Sequence, residues 1–91
     1  MENTRVAVMS IIVEDINSAE QPLSQRVEML NAVLHEYSEY IIGRMGIPYR
    51  PKKINIISIV LDAPQDEIAA LAGKIGNLNG VSVKTAFSNS N

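Results

Sequence analysis

Two segments of this chain, Arg5–Glu14 (RVAVMSIIVE) and Ile54–Asp62 (INIISIVLD), are apolar on both sides that a β-strand would present. In the first, Ala7, Met9, Ile11 and Val13 share one side, and Val6, Val8 and Ile12 the other. In the second, Ile57, Ile59 and Leu61 oppose Ile54, Ile56 and Val60. Successive side chains of a strand point to opposite faces, so both faces of each segment must be removed from water. Richness in Val and Ile and short length favour strands over amphipathic helices. The two segments are therefore read as the centre of a sheet.

The intervening sequence supplies a helix. DINSAEQ suits a loop and helix entry, and Pro22 is tolerated only in a first helical turn. Leu23, Val27, Leu30, Leu34 and Tyr37 recur at helical spacing, which predicts a helix from about Pro22 to Ser38. A second helix follows the later strand. Asp62 is its expected cap, Pro64 lies in its first turn, and Asp66 and Glu67 favour its positive end. Ile68, Leu71, Ala72, Ile75 and Leu78 form its stripe, and Gly80, able to take positive φ, closes it. Val81–Phe87 alternates and reads as the last strand.

The remaining strand contains Arg44–Arg50, RMGIPYR. Its period-two pattern sets Ile41, Met45, Ile47 and Tyr49 inward, and Arg44 and Arg50 toward the opposite face. Pro48 cannot donate a ladder hydrogen bond, so an edge position is expected, with Gly46 as the site of a bulge. The order is β-α-β-β-α-β. Right-handed crossovers joined by a hairpin give an α+β, ferredoxin-like sandwich: an antiparallel sheet in the order 4-1-3-2 with two helices on one face. That order independently puts the proline-bearing strand at an edge. At 91 residues the chain makes a single domain, residues 1–91, with a core of about 5–87.

Two helices cover one sheet face, yet the central strands are apolar on both. The uncovered face predicts a homo-oligomer, dimer or tetramer, with Val8, Ile54 and Ile56 in the interface and Arg44 and Arg50 at its rim. Burying several hundred Å² of such surface at roughly 25 cal/mol per Å² favours association by several kcal/mol before the entropic cost of docking.

Charge is unevenly placed. Between Glu14 and Glu39 six acids accompany one base, Arg26, whereas Tyr40–Leu61 holds no acid and four of the eight basic residues: Arg44, Arg50, Lys52 and Lys53. Solvated strand ends explain this run; a local anion site is the sharper reading. Net charge is −2, which gives no support to nucleic-acid binding by this chain alone.

No cysteine is present, which removes disulfides and thiolate chemistry and fits a reducing, cytoplasmic setting. MENTR lacks a basic region followed by an apolar run, so neither a secretory signal nor a membrane span is expected. His35 is the sole histidine; with Glu39 at i+4 it is a weak metal candidate, and a surface histidine at a helix C-terminus accounts for it. GKIG (Gly73–Gly76) lacks the rest of a phosphate loop, and its glycines are read as close approach of the helix to the sheet or to a second subunit. No nucleophile–base set is recognisable, so an enzyme is not expected, and no cofactor is identified.

LHEYSEYIIGRMGIPYR and ISIVLDAPQDEIAALAGKIGNLNGVSVKTAF resemble the small proteins described as iron-only hydrogenase system regulators. The resemblance spans about Val6 to Phe87 and is most specific at Arg44–Pro48, Gly73–Gly76 and Val83–Thr85. These proteins are similar to ACT domains and to the C-terminal domain of the nickel-responsive regulator. The resemblance implies a stand-alone ACT-like sensor or transcriptional regulator that acts as a homo-oligomer through a small ligand or protein partner. ACT-type ligands sit at the loop after the first strand, which points to Asp15 and Asn17, with Arg44 as a further ligand-binding residue. A nickel site is not implied, because the multiple histidines and the cysteine are missing. The alternatives are direct DNA binding by a basic surface assembled by symmetry, and a small metal-binding sensor.

Overall fold

In the computed structural model, which describes residues 3–14 and 23–89, the doubly apolar segments form neighbouring central strands. The elements are β1 (Arg5–Glu14), α1 (Leu23–Glu36), β2 (Ile41–Tyr49), β3 (Ile54–Ala63), α2 (Gln65–Gly76) and β4 (Val81–Phe87). The sheet order is β2-β3-β1-β4 with every pair antiparallel, the expected order read from the other edge. β2 is thus an edge strand, which accommodates Pro48.

The core lies between the sheet and the helices. Met9, Ile11 and Val13 of β1 and Ile59 of β3 are fully buried, and Leu61 nearly so. Leu30 and Leu34 of α1 pack over them, as do Ile68, Leu71 and Ile75 of α2. The first pair is spaced i+4 and the second set i+3 and i+4, the condition for one helix stripe to meet a flat sheet. Each large aliphatic side chain buried here contributes about 1.5–3 kcal/mol.

Several local expectations need correction. α2 begins at Gln65 with Pro64 at its N-cap and no side-chain cap. Asp62 remains in β3 opposite Val6 instead of capping that helix. α1 ends at Glu36, and Ser38–Tyr40 forms a separate 3-10 turn, because Tyr37 turns into the core. Gly80 has φ 77°, the positive value expected of a glycine before β4. In GKIG, a Cβ at Gly73 would meet nothing within 4 Å and one at Gly76 only Val83 at 3.9 Å, so close approach within this chain explains neither.

The largest departure is in β2. The bulge lies between Ile41 and Gly43, not at Gly46. Ile41 pairs with Leu61 on the helix side, Ile42 is left without a partner, and Gly43 pairs with Val60 on the other side. One inserted residue reverses the phase of everything that follows. Met45, Ile47 and Tyr49 therefore lie on the open face, in register with Ser58, Ile56 and Ile54. Arg44, Gly46 and Pro48 take the helix side instead, opposite Ile59, Ile57 and Asn55.

Candidate functional site

The bulge has two consequences for surface chemistry. On the open face it adds β2 to the apolar surface of β1 and β3. Ile47, Ile56 and Ile12 form one cross-strand row, and Gly43, Val60, Val8 and Ala86 another. Val6, Val8, Ile12, Met45, Ile47, Tyr49 and Ile56 are all exposed. The polar groups Ser10, Ser58 and Lys84 share one row across the middle, and Glu14 and Asp62 lie toward the ends.

On the helix side, the stretch of β2 beyond the bulge carries an arginine, a glycine and a proline where bulky aliphatics would otherwise pack. Residues 44–49 are all exposed, so α1 does not close over this edge. Two clefts result. One, of about 370 Å³, lies between the end of α1 and the start of β2 and is lined by Asn31, Leu34, His35, Ser38, Ile41 and Arg44. The other, of about 410 Å³, lies between the start of α1 and the β2–β3 turn, where Leu23, Ser24, Pro48 and Asn55 meet Arg50 and Lys53.

In the first cleft Arg44 Nη2 donates to Asn31 Oδ1 at 2.8 Å. Arg44 thus reaches toward α1 and is not a rim group of the open face, a correction that follows from the bulge. Arg50 has left the strand for the 3-10 turn Arg50–Lys52, which ends at Lys53 in the left-handed region with φ 54°. The basic run consequently does not form one surface: Arg44 is tied to α1, and Arg50, Lys52 and Lys53 occupy the hairpin turn. His35 and Glu39 do not share a helix, because α1 stops between them. Instead, His35 joins Arg44 in one cleft. Among the described residues no three His, Cys, Asp or Glu side chains gather to hold a metal ion. Val8, Ile54 and Ile56 lie on the open face. Asp15 and Asn17 fall outside the described residues.

Three polar features escaped sequence reasoning. Asn31 and Ser38 join the Arg44 cleft only because α1 and β2 are brought side by side. Arg26 is 2% exposed, and its Nη1 donates to the Glu14 carbonyl at the end of β1. Its signal was positional: Arg26 is four residues before Leu30 on the buried stripe, but its charge argues for solvent. Lys74 lies 3.5 Å from Glu36 and 5.0 Å from the Tyr37 ring centroid. Contact with Tyr37, then with Glu36, raises its pKa above the ordinary 10.5. Among the described residues no helix is long and apolar enough to cross a membrane.

The chain is similar to known proteins in sequence and in fold. Residues 5–85 match the TM1266-like family, described as "Iron-only hydrogenase system regulator, putative". The solved structure of the uncharacterized protein TM1266 from Thermotoga maritima is similar over 93% of this chain and 98% of that one, at 36% identity and a TM-score of 0.82. No curated protein sequence matches. With the family pattern spanning both helices and all of the sheet except the last two residues of β4, the chain belongs to the TM1266-like family of iron-only hydrogenase system regulators.

Proposed function

We propose that this chain is an ACT-like regulatory module of an iron-only hydrogenase system. It works in the cytoplasm as a homo-oligomer, dimer or tetramer, and responds to a small ligand or a protein partner. The observation that carries this reading is the open sheet face. Its apolar rows run across three strands, and the described residues supply no third layer to cover them.

Strand spacing and rise give such a face an area of roughly 400 Å². Joining two copies would contribute about 10–20 kcal/mol gross at roughly 25 cal/mol per Å², against a docking cost of about 4–15 kcal/mol. With the gain at about 20 kcal/mol and the cost near the middle of its range, the balance exceeds the roughly 8 kcal/mol that micromolar association requires. Ser10, Ser58 and Lys84 in the middle row limit how apolar the contact can be, which suits an assembly that a ligand can adjust. A family named for regulation and not for a reaction is in keeping with this role.

Sedimentation equilibrium tests it. The wild-type mass is expected to be at least twice that of one chain. Ile12→Glu or Ile47→Glu is expected to weaken association by about a hundredfold or more, since each places a charge in the apolar row, with the far-UV spectrum unchanged. A wild-type mass of one chain at micromolar concentration refutes the reading.

A further inference from the structure

The cleft between α1 and the start of β2 combines donors with an apolar floor. Asn31, His35, Ser38 and Arg44 supply its polar lining, and no carboxylate is among its six lining residues. Arg44 has a hydrogen bond to Asn31 and no acidic partner among the described residues. A guanidinium has five N–H donors in a planar fork, so most of them stay available. Asn31 holds the group at 2.8 Å, which reduces the ordering that a ligand would have to impose. Beneath these groups lies Leu34, 1% exposed overall, beside the half-buried Ile41. The volume, about 370 Å³, suits a small molecule.

We propose that this cleft binds a small organic carboxylate. Its carboxylate is received by Arg44 together with His35 and Ser38, and its short apolar chain lies against Leu34 and Ile41. An arginine fork matches the planar carboxylate with two parallel hydrogen bonds. Inorganic phosphate would satisfy the donors but leave the floor uncovered. The inference rests on the reading of the chain as a ligand-responsive module, and it is independent of assembly through the open face, which lies on the opposite side of the sheet.

The test is titration of ¹⁵N-labelled full-length protein with sodium butyrate, acetate or phosphate. Butyrate is expected to shift the amide resonances of Asn31, His35 and Arg44 and to bind roughly tenfold more tightly than acetate or phosphate, about what two buried methylene groups supply. Arg44→Gln is expected to weaken butyrate binding about tenfold or more, and Arg50→Gln to leave it unchanged. Both residues are exposed, and both variants are expected to keep the wild-type unfolding midpoint and sedimentation mass. Equal affinity for all three anions, unaltered binding in Arg44→Gln, or shifts confined to the turn around Arg50 and Lys53 would overturn the proposal. None of these results bears on the mass measurement, so the site and the assembly fail separately.

Discussion

The aliphatic residues on the two faces of the central strands are of the same types and meet different surroundings. On the helix side Ala7, Met9, Ile11, Val13, Ile59 and Leu61 are at most 1% exposed. On the other side Val6, Val8, Ile12 and Ile56 are between 36% and 38% exposed. Composition does not separate them. What separates them is that the described residues carry two helices, and right-handed crossovers bring both to the same side of the sheet. The lesson is that a strand apolar on both faces states a need for two covers, and the described residues provide one.

The sharpest way to break this comparison is to truncate one isoleucine from each face. Ile59→Ala is expected to lower stability by about 2–5 kcal/mol at every protein concentration, because the cavity lies within one chain. Ile56→Ala should lower it by less, and by an amount that depends on protein concentration, because its cover comes from a second copy. Urea denaturation over a wide concentration range reads both. Equal losses independent of concentration would mean that the two faces are not different in kind.

Arg26 probes the covered face from the opposite direction, since it is the polar residue admitted there. Arg26→Ala is expected to lower stability by about 1–3 kcal/mol, through the unpaired Glu14 carbonyl and the lost packing of the aliphatic stem. Arg26→Met keeps the stem and removes buried N–H groups that have no partner among the described residues, so its loss should be smaller. If the two variants unfolded alike, the stem would not contribute. Thermal or urea unfolding of the pair decides it.

The smallest effect lies outside both faces, on the exposed contact of Lys74 with Tyr37 and Glu36. A pKa raised on folding gives stability that is fully present below the unfolded value and lost as pH rises through the folded one. The difference between wild type and Lys74→Gln should therefore be constant through neutral pH and shrink only above about 10.5. A difference that vanished on the acid side of neutrality would assign the contact to another group.

Much of the architecture was legible because its signals are local. The doubly apolar runs of β1 and β3, the stripes of α1 and α2, Pro64 as a helix entry and Gly80 as a turn residue each depend on neighbours a few positions away. The strand order followed from chirality and from Pro48 needing an edge. The site was legible in part. Arg44 and His35 were both singled out, for separate reasons, but their meeting in one cleft was not foreseen. Arg26 was hidden because residue type and helical position gave opposite answers at one site.

Local pattern was enough to specify the elements, their order along the chain and the doubly apolar centre. From Gly43 onward it also told which residues of β2 share a side, but not which side, because period two fixes relative phase alone; Ile41, grouped with Met45, Ile47 and Tyr49, lies on the other side. The extra residue Ile42 set the absolute phase, and glycine, the local bulge signal, stands both beside it at Gly43 and at Gly46, so it did not choose between the two. That one unpaired residue turned Met45, Ile47 and Tyr49 to the open face and Arg44 toward Asn31. Packing made this choice: the helices cover β1 and β3 and leave the edge strand uncovered, so its bulky side chains join the neighbouring apolar face while its arginine takes the gap beside α1.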